Sequence, residues 1–93
     1  MAAESSFCYN ILKQIRSYLE GEISKEEYYN IAEQYYNKYV DSCDNIAFKK
    51  CFLDNIPDAC LLYIDEPGLT SEEREKQFFE VLKSTYELLL NLQ

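Results

Sequence analysis

Apolar side chains recur at steps of three and four residues along nearly the whole chain, which constrains its fold more than any other feature. Cys8, Ile11, Leu12, Ile15, Tyr18 and Leu19 share one stripe of a helix expected from about Ser5 to Glu20. Gly21 follows where a left-handed C-cap suits glycine best. Ser24, with Glu27 three residues on, forms a capping box, and Ile23 with Tyr28 supplies a hydrophobic staple. The second helix then carries Tyr28, Ile31, Ala32, Tyr35 and Tyr39 on its core side, with Tyr29 and Tyr36 nearer the flank. Only Gly21, Glu22 and Ile23 separate the two helices, so an antiparallel hairpin is expected.

The remaining segments are read the same way. Asp44 caps a third helix through Ile46, Phe48, Cys51 and Phe52. Pro57 is expected to interrupt it, because proline biases Ile56 away from helical backbone. A short further helix then begins near Pro57 and carries Ala59, Cys60, Leu61, Tyr63 and Ile64. That apolar run also suits a strand, although no other segment offers it a partner. After the break Glu66-Pro67-Gly68, Thr70 and Glu73 form a second capping box, and Phe78, Val81, Leu82, Thr85, Leu89 and Leu92 line the last helix. With two glycines and two prolines in 93 residues, a turn-rich β-sandwich is excluded. The expected fold is all-α: one domain, residues 1–93, built as a compact antiparallel bundle of four or five helices.

Composition removes several kinds of chemistry. There is no histidine, so His-based acid–base catalysis, Ser–His or Cys–His nucleophiles and Glu-x-x-His metal sites are excluded. Gly21 and Gly68 stand alone and make no phosphate loop. Cys8, Cys43, Cys51 and Cys60 are too widely spaced for a zinc motif and read as structural free thiols in a reducing compartment. No metal, cofactor or catalytic residue is expected, and an enzyme is disfavoured. Met1–Ser6 shows no signal-peptide pattern and no stretch is long and apolar enough for a membrane span, so a cytoplasmic protein is expected.

Charge carries the functional signal. Nine Lys and Arg face seventeen Asp and Glu, a formal net charge of −8, which disfavours nucleic acid and anionic membranes as direct partners. Residues 41–75 hold nine acidic and three basic side chains and so carry most of the excess. Two readings fit this segment: solvated loops with helix-capping aspartates, or a docking patch for a basic protein. Tyr29 and Tyr36, nearer the flank or the surface, fit either a half-buried boundary with the hydroxyl in water or a protein-binding surface.

The stretch Tyr18-Leu19-Glu20-Gly21-Glu22-Ile23-Ser24-Lys25-Glu26-Glu27-Tyr28 resembles the first helical hairpin of small bacterial immunity proteins. The connector Asp65-Glu66-Pro67-Gly68-Leu69-Thr70 into a final amphipathic helix is similar as well. The resemblance is to the colicin-D-type and contact-dependent growth-inhibition immunity families. It implies a compact acidic helical bundle that binds a cognate nuclease toxin domain, often a tRNA-cleaving one, and blocks its active site. The expected partner is then the basic C-terminal nuclease domain of a toxin, met by a monomer or weak dimer. Carboxylates of Asp54, Asp58, Asp65 and Glu66 would face the toxin's cationic cleft, with Tyr63 and Tyr36 packing at its centre. The alternative is a small intracellular adaptor or regulatory bundle that seats a partner's helix in an apolar groove.

Overall fold

The structure, a computed structural model, describes residues 3–65 and 67–92; for residues 3–6, 42, 58, 59 and 61–65 it describes the backbone alone. Four α-helices follow one another: α1 (Ala3–Leu19), α2 (Lys25–Tyr39), α3 (Ile46–Asp65) and α4 (Ser71–Leu90), with a single 3₁₀ turn at Val40–Ser42 after α2. No strand occurs among the described residues. The molecule measures 43 × 22 × 21 Å, about two helices across.

Local chemistry sets the helix ends. Gly21 adopts φ +79°, and its N–H bonds the Tyr18 carbonyl while that of Glu22 reaches the Ser17 carbonyl at 2.9 Å. This paired pattern ends α1 and turns the chain toward α2. Both expected capping boxes are formed, Ser24 with Glu27 and Thr70 with Glu73, each closed by reciprocal bonds of 3.0 and 3.1 Å. The cap of α3 is Asn45 and not Asp44: its Oδ1 accepts from the Phe48 N–H at 3.1 Å. Asn45 Nδ2 also donates to the Leu92 carbonyl at 2.7 Å, so one amide starts α3 and ties down the chain beyond α4. Asp44, one residue earlier, is left exposed.

The third segment differs most from expectation. Residues 46–65 form one continuous helix that runs through Pro57, so there is neither a break nor a strand at residues 59–64. Pro57 lacks the N–H that would bond the Leu53 carbonyl, and helical backbone at Ile56 is disfavoured. Burial offsets this: Phe48, Phe52, Ile56 and Cys60 recur every fourth residue and are all buried on one face. Breaking the helix at Pro57 would take Ile56 and Cys60 off that face.

The core is filled mainly by aromatic and aliphatic side chains of α1, α3 and α4, with Tyr28 and Ala32 from α2. Phe7 joins the α1 stripe; it packs against Tyr35, Tyr36 and Phe48 at centroid distances of 5.8, 5.9 and 6.5 Å. Near the other end of α1, Tyr18 meets Phe78 edge-on at 5.1 Å and Tyr28 at 6.2 Å. There the Tyr18 hydroxyl donates to Glu75, whose carboxylate also lies 3.5 Å from Lys25 Nζ, so α1, α2 and α4 share one polar clasp. Packing is densest between α3 and α4, whereas α2 touches α3 sparingly.

On α2 the buried stripe is narrower than the periodicity implies. Tyr28 and Ala32 are buried, but Ile31 and Tyr39, expected on the core side, are exposed. Tyr29 and Tyr36, expected near the flank or surface, pack against the core as fully as Tyr35 does. The reason is packing: Phe7 of α1 meets Tyr35 and Tyr36, and Phe52 of α3 stacks on Tyr36, so burial shifts to that edge of α2.

A candidate protein-docking trough between α2 and α3

The sparse contact between α2 and α3 leaves a trough. Its upper part has a volume of about 240 Å³ and is walled by Tyr29, Glu33 and Tyr36 on one side and Leu53 and Pro57 on the other, with Cys60 below. The trough continues past Tyr36 and Leu53 into a second hollow bounded by Val40, Ile46, Lys49 and Asp54.

Tyr36 is a rigid wall of this trough. Its ring stacks on Phe52 at 5.1 Å, with planes only 8° apart, and meets Phe7 edge-on. Burial, with the nearby Cys43 thiol second, raises its hydroxyl pKa and keeps it neutral. Opposite it, Leu53 is 47% exposed and Ile46 74% exposed, large apolar side chains left on the surface. They are seven residues apart on α3, which places them on a second stripe beside the buried Phe48–Phe52–Ile56 face.

Of the residues expected to bind a partner, Tyr36 and Asp54 come together at this trough. Asp54 accepts from Lys50 Nζ at 3.0 Å, an exposed pair one helical turn apart, so its charge is partly matched within the chain. The side chains of Asp58, Tyr63 and Asp65, and Glu66 entirely, lie outside the described residues. Other acids of the 41–75 segment have structural tasks. Glu73 closes the α4 capping box, and its bonds to Thr70 lower its pKa. Glu75 belongs to the Tyr18–Lys25 clasp, and with Glu72 it lines the outer face of α4, apart from Asp54.

Reading the sequence missed Tyr29, Glu33, Leu53 and Pro57 as wall residues, and it assigned Ile46 to the core-facing run of α3. The available signal was the seven-residue step from Ile46 to Leu53, off the four-residue step of the core.

All four cysteines are thiols. Burial, reinforced by the Glu33 carboxylate, pushes Cys60 up to about 12, and burial with Asp54 raises Cys51, which outweighs the lowering by Asn55. Neither forms a thiolate at neutral pH. Among the described residues no group of three or more His, Cys, Asp or Glu is placed to hold a metal ion. No described helix is long and apolar enough to cross a membrane.

No protein-family model, curated protein or solved structure matches this chain.

Proposed function

We propose that the chain is an immunity protein, which binds and neutralises a basic nuclease toxin by stoichiometric occlusion in the cytoplasm. In this reading the four helices form an antiparallel bundle, and the α2–α3 trough with the adjoining surface of α3 is the working face. The observation that carries it is the convergence of Tyr36, Asp54 and exposed Leu53 on one trough. A rigid aromatic wall and an apolar residue supply an anchor of the kind found at the centre of protein interfaces. The excess of carboxylates supplies steering toward a cationic cleft that ordinarily holds RNA phosphates. No nucleic acid, cofactor or metal is required.

The test is co-expression with the C-terminal domain encoded by the neighbouring upstream gene. A one-to-one complex that suppresses nuclease activity, and whose association slows as salt rises, supports the reading. If that gene encodes no toxic protein and no basic partner co-purifies, the reading fails.

The exposed apolar stripe Ile46–Leu53 favours a second reading, an adaptor that seats an amphipathic partner helix. Its binding would change little with salt, which separates the two.

A further inference from the structure

We propose that the upper part of the α2–α3 trough takes an arginine side chain of a basic partner protein, its guanidinium on the Glu33 carboxylate and its stem against Leu53 and Pro57. This occupant rests on the toxin reading for the partner's basic character and deepens it by naming what enters the trough. Glu33 is exposed on the trough wall and makes no ion pair within the chain among the described residues. No lysine or arginine lines this part of the trough, and the residues one turn away on α2, Tyr29, Asn30, Tyr36 and Asn37, carry no positive charge. The carboxylate is nevertheless felt at the trough floor, where, after burial, it is what raises the Cys60 thiol. Asp54 of the neighbouring hollow differs, since Lys50 already engages it.

The walls decide which cation fits. Tyr29 and the Tyr36 ring, fixed on Phe52, lie on one side, and Leu53 and Pro57 on the other. Aromatic rings attract a cation, and apolar walls keep water from the ion pair it makes with Glu33. Guanidinium suits such walls better than ammonium. It is planar, gives up its weaker hydration more readily, packs flat on aromatic surfaces and meets a carboxylate with two parallel N–H bonds. Asn37, one turn beyond Glu33, lines the same space and offers a side-chain carbonyl to a remaining guanidinium N–H.

The cation belongs to a protein and not to a free amine, because the apolar surface runs on beyond the pocket. Leu53 is 47% exposed and Ile46 74% exposed, and a partner that inserts one arginine covers both with the residues flanking it. The net charge of −8 draws such a partner in, and the trough then holds the one side chain that matches it.

Titration of the full chain with acetyl-arginine methylamide at fixed ionic strength, followed by NMR, tests the pocket without any partner. Saturable shifts are expected at the amides of Glu33, Tyr36, Asn37 and Leu53. The uncharged isostere acetyl-citrulline methylamide, and arginine offered to Glu33→Gln, should each bind about tenfold more weakly or not at all. Glu80→Gln, on the outer face of α4, removes the same charge and should leave binding unchanged. In the complex with the domain encoded by the upstream gene, E33Q should raise Kd about tenfold or more and E80Q should not. Both positions are exposed, and an unchanged urea midpoint shows that each variant folds. Arginine that shifts nothing at the trough, citrulline that binds as well as arginine, or E33Q that behaves as E80Q does would overturn the proposal. If the domain binds E33Q as tightly as the unsubstituted chain, the pocket falls and the toxin reading stands. If the domain does not bind and the arginine probe does, the toxin reading falls and the pocket stands.

Discussion

The clasp around Tyr18, Tyr28 and Phe78 and the trough around Tyr36 and Leu53 are built from similar residues, with opposite results. At the clasp, three helices converge, the rings of Tyr18 and Tyr28 close on Phe78, and Glu75 satisfies the one hydroxyl that reaches the edge. At the trough, α2 and α3 touch sparingly, although Phe7 of α1 backs the Tyr36 ring. Tyr36 stacks on Phe52, but the side chain opposite it is Leu53, nearly half exposed. An aromatic residue closes a small bundle where its neighbours converge on it from all sides, as at Tyr28, and borders open surface where two helices stand apart, as at Tyr36. The proposed function uses the second region and leaves the first to folding.

The largest expected effect contrasts the two regions directly. Phe78→Ala removes the ring shared by Tyr18 and Tyr28 and should cost about 3–5 kcal/mol in urea unfolding, most of the stability of a small domain. Leu53→Ala should change it by less than about 0.5 kcal/mol while weakening partner binding. Comparable losses at both positions would erase the distinction.

Pro57→Ala comes next. It restores an N–H for the Leu53 carbonyl in a helix already formed, so the urea midpoint should rise, by about 1–3 kcal/mol in stability. Because Pro57 walls the trough, the same variant should reduce binding, trading function for stability. A fall in stability would mean that proline is needed for the packing of Ile56.

The smallest effect is electrostatic. Burial and the bond to Glu75 raise Tyr18 above its ordinary 10.0, burial also raises Tyr28 well above it, and Cys60 is pushed from 9.0 to about 12. In each case the fold holds the protonated form, and the unfolded chain loses its proton first. Stability contributed by these groups is therefore complete below about pH 9 and is lost as pH rises through their raised folded values. Tyr18→Phe should cost about 1–2 kcal/mol at neutral pH and make the alkaline fall shallower. An equally steep fall in the variant would remove Tyr18 from the explanation.

Much of the fold was legible because its signals are local. Ser24–Glu27, Thr70–Glu73 and Gly21 act within one helical turn, and the α1 and α4 stripes are wide enough to read without their neighbours. Pro57 misled because its local preference against helix is real, but the burial of Phe52, Ile56 and Cys60 against other helices outweighs it. Asn45 was overlooked for a similar reason, since half of its role is a bond to Leu92, forty-seven residues away. The site was less legible. Tyr36 and Asp54 stood out by type and charge, but whether Leu53 faces solvent depends on how far α2 stands from α3, which periodicity does not encode. Of the carboxylates counted in residues 41–75, Glu73 caps α4 and Glu75 clasps α1 and α2, tasks that charge counting does not reveal.

The account rests on the α2–α3 trough being the working surface, and hydrogen–deuterium exchange on a complex with the proposed partner, the C-terminal domain encoded by the neighbouring upstream gene, tests it most directly. Amide protection should rise on binding within residues 29–40 and 46–57 and stay unchanged on the outer face of α4 around Phe79 and Glu80. Protection gained on that α4 face, with the trough unaltered, would contradict it.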